Sequence, residues 1–237
     1  VTFPDLLERL RAGGTAAPFL TWYAEPTADS PAERIELSVA TYTNWVAKTS
    51  SLLAEEFDLE RGDYVLVDLP AHWLVPIFAA AAWNLGAGVV TPETADGHPV
   101  RLRVCGPAGL PANPAELPTL ACSLHPLGLR FSTDLPIGVR DFGVEVWGQP
   151  DAFLPFDPPE PSDPATATAT QADLFGRGSR LSASGRVLTD AHLLGERGLR
   201  LLIEAMETAG SLVLTRGADA IRQAELARVE HAQIAPG

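Results

Sequence analysis

Lysine is nearly missing from this chain: of its 17 basic residues only Lys48 is a lysine and the rest are arginines, against 30 acidic residues, for a formal charge of -13. A surface with that balance repels phosphate backbones and anionic headgroups, so neither nucleic acid nor a membrane surface is an expected partner. The accompanying bias toward Ala, Gly, Pro and Arg is what codon usage in a high-GC bacterial genome produces. Cysteine is scarce too. Cys105 and Cys122 are too few for a disulfide framework, and no CxxC or Cys/His ligand spacing surrounds either, so no metal site is expected and both read as small buried hydrophobes. Long apolar runs are also lacking: the longest, over 73–85, is interrupted by Pro76 and Asn84 and falls short of the roughly 20 residues that span a bilayer. The opening VTFPDLLERLRAGG has neither a basic n-region nor an apolar h-region, so it reads as an amphipathic helix and the expected location is cytoplasmic.

What the chain does have is core. Its 237 residues are 46% hydrophobic, enough to bury a substantial globular interior. Thr2 can cap a first helix whose Phe3, Leu6, Leu7 and Leu10 share a face and which Gly13 and Gly14 stop. Strands are expected over 18–24 and 35–40, then a helix from Thr41 that carries Trp45, Leu52, Leu53 and Phe57 and ends before the turn ERGD. The run YVLVDL (64–69), an apolar helix over 72–85 closed by Gly86, and AGVVT (87–91) spell strand, helix, strand, the pattern of a parallel βαβ unit. Further short strands are expected within 100–105, 117–124 and 142–147. The segment PFDPPEPSDPATATAT (155–170) cannot hold a regular helix or a central strand, because its prolines lack a donor and fix φ, so it is a linker or an extended crossing loop. Beyond it, 190–209 reads as helix, 211–215 as strand, and 219–233 as a last amphipathic helix with Ile221, Leu226 and Val229 facing inward. The expected fold is α/β, a mostly parallel sheet with flanking helices. It is a single domain over 1–237, with 1–154 and 171–237 as its candidate sub-lobes.

Three consecutive segments, ATYTNWVAKTSSLLAEE, RGDYVLVDLPAHW and FAAAAWNLGAGVVTP, match in order and spacing what the adenylate-forming superfamily reads as LTYxELxxxAxxLAxxL, a GDRV turn with a strand ending in LPN, and a helix ending in KAGAVVVPL. The chain therefore resembles the amino-terminal region of acyl-CoA synthetases, nonribosomal-peptide adenylation domains and firefly luciferase. The match is good over about the first 90 residues and returns, weaker, at LSASGRVLTDAHLL and AGSLVLTRGAD. This resemblance implies the first half of the family's amino-terminal domain as the fold; no cofactor is expected, and ATP or AMP are the only ones to consider.

The departures matter as much. The family's phosphate loop is close to TSGTTGxPKG, in which backbone N–H groups wrap the phosphates and a lysine supplies charge. Here the candidate loop, 178–189, offers Ser182, Ser184, the Gly185 backbone, Arg186 and Thr189, without the threonine pair or the lysine; Arg186 is the cation of SASGR. No counterpart of the family's YxxTE segment, ribose-binding aspartate, RTGD-like hinge or lysine-bearing carboxy-terminal domain is present. The resemblance thus implies a truncated, degenerate relative with no catalytic residues, similar to adenylate-forming-like proteins of unknown role in high-GC bacteria. The expected role is that of a pseudoenzyme, a binding or interaction module partnered by itself as a homodimer or by another protein. The alternatives are a minimal ATP-dependent acyl-adenylate or acyl-CoA ligase working through Ser184 and Arg186, and a subunit that completes another polypeptide.

Other constellations are weaker. Asp141-Phe142-Gly143 spells a kinase magnesium motif without the glycine-rich loop, strand lysine or catalytic loop that would give it meaning. His72, next to the family's LPN turn, could face a pocket at the carboxyl end of the 64–69 strand, but reads more simply as a polar residue at a helix start.

Overall fold

The computed structural model describes residues 1–28, 30–175 and 185–235. Along the chain run α1 (Phe3–Ala12), β1 (Pro18–Ala24), β2 (Glu33–Ser38), α2 (Val39–Phe57), β3 (Tyr64–Asp68), α3 (Val75–Asn84), β4 (Gly88–Val90), β5 (Val100–Cys105), β6 (Thr119–Ala121), β7 (Val139–Asp141), α4 (Phe142–Glu145), α5 (Gln171–Phe175), β8 (Arg186–Thr189), α6 (Glu196–Glu207), β9 (Ser211–Arg216), α7 (Ala220–Val229) and β10 (Gln233–Ile234). The α/β class with mostly parallel strands is the expected one. Its strands divide into two five-stranded sheets, ordered β10-β8-β9-β1-β2 and β4-β3-β5-β6-β7.

The chain forms two compact units, and they interleave. One takes the described residues of 1–4, 44–70 and 77–176, the other those of 5–43, 71–76 and 177–237. The expected sub-lobes 1–154 and 171–237 do not coincide with these units, because β1 hydrogen-bonds in parallel to β9 and so carries the early strands into the late sheet.

In the first unit every strand is parallel. Val65, Val67, Leu102, Val104 and Leu120 are buried, as expected for parallel strands whose faces are covered. β3 and β4 are neighbours with Tyr64 opposite Gly88 and Leu66 opposite Val90, joined through α3, a helix apolar on all sides, buried from Val75 to Trp83 and with a proline in its first turn. The proline-rich segment crosses the open edge of β4: Val89 N donates to the Ala165 carbonyl at 3.1 Å, and Trp83 Nε1 donates to the same oxygen at 2.7 Å. Arg61 holds the segment by a two-pronged contact with Asp163, both at 3.0 Å. Gly86, at φ +72°, lies under that contact, where a Cβ would come within 2.7 Å of both Arg61 and Asp163. Gln171 closes the arrangement: fully buried, it accepts from Phe3 N and donates to the Trp83 carbonyl, beside the ring cluster of Phe3, Trp83 and Phe175.

In the second unit β8, β9, β10 and β1 are parallel, and β2 returns antiparallel to β1 as a hairpin. Ile35 and Leu37 turn inward and Arg34 and Glu36 outward, the period-two pattern of an edge strand. α7 packs Leu226 and Ala227 onto Leu188 and Val213.

Three local expectations are corrected. Residues 142–147 are not a strand but α4 followed by a 3-10 turn, because Asp141 caps Gly143 N and stops β7. The helix expected over 190–209 begins only at Glu196, since the Thr189 hydroxyl and the His192 ring accept from Ala191 N and Leu194 N and hold the chain in turns. Of the three residues expected to face inward from the last helix only Leu226 does so; Ile221 is 83% exposed and Val229 54%. Ile221 and Leu226 are five residues apart, about 140° around the helix.

Replacing Gln171 by Ala leaves the buried Phe3 N–H without a partner, while the Trp83 carbonyl keeps the bond from Gly86 N. The expected loss is about 1–3 kcal/mol, read as a lower urea midpoint at unchanged slope. A midpoint equal to that of the parent chain would show that water replaces the amide.

Candidate functional site

Of the five residues expected to line a phosphate loop, Ser182 and Ser184 lie outside the described residues, and the other three belong to or adjoin a strand. Residues 186–189 are not the end of a loop leading into a helix. Val187 and Leu188 pair with β9 on one side and β10 on the other, and this double pairing with burial of the apolar residues draws Arg186 and Thr189 into β8. The Gly185 carbonyl accepts from Ser211 N at 2.9 Å. Thr189 is 1% exposed, its hydroxyl accepting from Ala191 N at 3.1 Å.

Arg186 is held by partners from β1, β9 and the C-cap of α7. Nη2 donates to Glu230 at 2.5 Å and to Thr21 Oγ1 at 2.8 Å, and Nη1 donates to Ser211 Oγ at 3.1 Å. The side chains of Arg186 and Glu230 are only 16% and 10% exposed. Glu230 also accepts from the Tyr23 hydroxyl and from Arg34 at 3.1 Å, while Arg34 donates to the Tyr23 oxygen at 2.8 Å and to Glu36 at 2.6 Å. Burial pushes the Glu230 carboxyl up, but the hydrogen bonds from Tyr23, Arg186 and Arg34 outweigh it and hold the group below its ordinary value of 4.5. Burial and the neighbouring Glu230 push the Tyr23 phenol up. Two guanidiniums thus converge on one carboxylate supplied by the chain itself, which satisfies them as an anionic ligand otherwise would. Both terminal nitrogens of Arg186 thus already have partners within the chain.

Sequence reasoning missed Glu230 and Arg34. The alternation of Arg34 and Glu36 on β2 was the one available sign, and nothing local tied either to a residue almost 200 positions away.

The remaining candidates are structural. Both Asp141 oxygens cap backbone, Oδ1 accepting from Gly143 N at 2.9 Å and Oδ2 from Phe131 N at 2.8 Å. Phe142 packs against Trp45 and Phe78, and a Cβ on Gly143 would stand 2.4 Å from Arg130 N, so each letter of the kinase-like tripeptide has a packing reason. His72 is fully buried, its ring edge-on to Trp22 at 4.4 Å and its Nδ1 accepting from Leu74 N. Cys105 and Cys122 are buried, and burial raises both thiols, Cys105 to about 11. Among the described residues no group of three or more His, Cys, Asp or Glu could hold a metal ion, and no helix is long and apolar enough to cross a membrane.

No family model matches the chain. Over 193 residues it is 31% identical to a TIGR03089 family protein of Mycobacterium tuberculosis (strain ATCC 25618 / H37Rv), a match that covers 78% of this chain and 74% of that protein. The chain belongs to the TIGR03089 family. Among solved structures it is similar to the N-terminal domain of FACL13 from Mycobacterium tuberculosis, with a TM-score of 0.71 at 14% identity over 98% of this chain and 61% of that one. It is also similar to an acyl-CoA synthetase of Brucella canis, with a TM-score of 0.74 at 16% identity over 97% of this chain and 46% of that one. The chain thus spans less than two thirds of either. At these identities the likeness is one of fold: this TIGR03089 family member has the fold of an acyl-CoA synthetase N-terminal domain, as its amino-terminal motifs led one to expect.

Arg186→Ala leaves Glu230 largely buried with one guanidinium gone, at an expected cost of about 3 kcal/mol at neutral pH. The Glu230 pKa is depressed on folding, so its stabilisation is present above 4.5 and is lost as pH falls through the lowered folded value. The variant, with a smaller depression, should therefore lose less stability on acidification than the parent. Denaturation midpoints across that pH range check both points, and parallel curves for the two proteins would contradict them.

Proposed function

We propose that this TIGR03089 family protein is a binding or interaction module built on an acyl-CoA synthetase N-terminal fold, without adenylation activity. The observation that carries this reading is the commitment of Arg186 to Glu230, Thr21 and Ser211. Lys48 points the same way: the chain's single lysine donates to the Gln149 carbonyl at 2.5 Å and pairs with Asp151 at 3.0 Å, a structural tie. Each preorganised donor aimed at developing charge is worth roughly 3 kcal/mol, or a factor of 100 to 1,000 in rate. The loss of two cations therefore leaves little rate to observe. ATP–pyrophosphate exchange with a panel of acyl substrates, paired with a calorimetric ATP titration, tests the reading. The expected result is no exchange above background, and robust exchange by the 237-residue chain would overturn it.

Exposed apolar side chains favour a protein partner, with a second copy the simplest. Ile137, Leu154 and Phe156 are 99%, 89% and 106% exposed, and Trp147 is half exposed. A symmetric dimer buries such a surface with one patch against its own copy. Two copies of charge -13 repel, so association should strengthen as salt screens them. Light scattering is expected to give twice 25.2 kDa at moderate salt, and a monomeric mass for the Leu154→Asp, Phe156→Asp double variant. A 25.2 kDa species for the parent chain at every ionic strength would refute self-association.

A further inference from the structure

The sheet β4-β3-β5-β6-β7 has the strand order 2-1-3-4-5 of a doubly wound parallel sheet, counted in its own chain order. From β3 the chain leaves toward β4 on one side, and from β5 it leaves toward β6 on the other. Connections that part in this way open a crevice at the carboxyl ends of the two strands, the place where open α/β sheets take ligands. Here that place is marked by Asp68, the last residue of β3, and by Cys105, Gly106 and Gly109 at the exit of β5.

Register puts the chemistry on one face. Leu66 pairs with Arg103 and Asp68 with Cys105, so Asp68, Arg103 and Cys105 share the face opposite Val65, Val67 and Val104. The 3-10 turn Pro107–Gly109 follows β5 and brings Gly109 against that face. Asp68 and Arg103 do not pair with each other. They sit on adjacent strands two residues out of step, about 7–8 Å apart along the diagonal. Among the described residues neither side chain has a hydrogen-bond or ion-pair partner, and Arg103 Nε is buried without one. A buried donor left open in a native fold requires an explanation. Both charges reach the Cys105 thiol: burial raises it, Asp68 adds to the rise and Arg103 opposes it. Gly109 lies close against the carboxylate, and a Cβ there would stand 2.7 Å from Asp68 Oδ2 and 3.0 Å from Cys105 Cβ, so only glycine leaves the carboxylate its position.

We propose that the carboxyl ends of β3 and β5 form a binding site for a small zwitterion, with Asp68 accepting from its cationic ammonium group and Arg103 donating to its anionic end. A simple anion at Arg103 is repelled by Asp68, and a simple cation at Asp68 is repelled by Arg103. A molecule carrying both signs satisfies both. One carboxylate beside a guanidinium is also a poor cation site, which excludes a divalent metal as the occupant. The proposal goes beyond the binding role given above and uses none of the residues of the nucleotide-loop region.

Titration of the full chain with glycine, β-alanine and taurine, followed by amide NMR, tests it. The expected result is saturable movement of the Gly106 and Gly109 signals, with acetate and methylammonium weaker by roughly tenfold or more. Asp68→Asn and Arg103→Gln should each weaken binding by at least about tenfold. Gly109→Ala, whose new methyl displaces the Asp68 carboxylate without touching either charge, should do the same, and it serves if a charge variant fails to fold. No saturable movement with any of the three zwitterions overturns the proposal, as does unchanged binding by Asp68→Asn. Acetate binding as tightly as glycine would make this an anion site and sink the zwitterion assignment. Pyrophosphate exchange by the same preparation bears on the adenylation reading alone, so the two can fail separately.

Discussion

The commitment of cations to carboxylates within the chain is the constraint on which the rest of this protein depends. With far more acids than bases, nearly every structural junction that needs a positive charge uses an arginine. Arg61 fastens the proline-rich segment through Asp163, with Asp157 and Glu160 close by. Arg140 ties Glu145 to Glu56, and Arg222 joins Glu25 to Glu225. Arg186 and Arg34 share Glu230. The exposed contacts among these are individually weak, and what makes them matter is geometry: Arg61 and Arg186 each grip their partners through several nitrogens and are mostly shielded from water.

The same economy explains what could be read in the sequence and what could not. Continuous apolar runs announced β3, α3 and β4 because a buried parallel strand and a helix apolar on all sides leave no other reading once Gly86 and the ERGD turn mark their ends. The two early strands were legible for a different reason, the turn-rich PTADSPAE between them, although the second runs over Glu33–Ser38 and gives way to α2 at Val39. Residues 142–147 were misread because an apolar run of that length suits a strand and a helix equally, and the deciding feature was a single capping carboxylate, Asp141, that also satisfies Phe131 N across the loop. The start of α6 was misplaced by the bonds of Thr189 and His192 to nearby backbone, which periodicity does not register. The loop candidate failed to predict the surroundings of Arg186 since its partners, Thr21, Ser211 and Glu230, come from three separate elements that meet only once the β1–β9 pairing forms.

That pairing also bears on folding order. β1 reaches β9 across about 190 residues of sequence, and Phe3 reaches Gln171 across a separation of 168. Contacts of such sequence distance repay loop-closure entropy late, so the local βαβ unit of β3, α3 and β4 is the natural early nucleus and the interleaved sheet a later addition. The proline-rich segment fits this sequence of events. It needs no regular structure of its own, only a carbonyl at Ala165 to satisfy both Val89 and Trp83, and it can dock when β4 and α3 already exist.

A parallel sheet needs its edges and faces covered. One face is closed by apolar packing of Val65, Val67, Leu102, Val104 and Leu120. The other buries Leu66, Cys105, Thr119 and Ala121 as well, and carries Asp68 and Arg103 beside Gly109 of the turn after β5. If that turn served packing alone, the cheapest solution would be apolar residues at positions 68 and 103, as on the opposite face, since unpaired charge beside a buried thiol destabilises and contributes nothing to the core. The arrangement is instead what a ligand site requires: opposite charges held apart by register, on rigid strands, with a glycine where a side chain would fill the space.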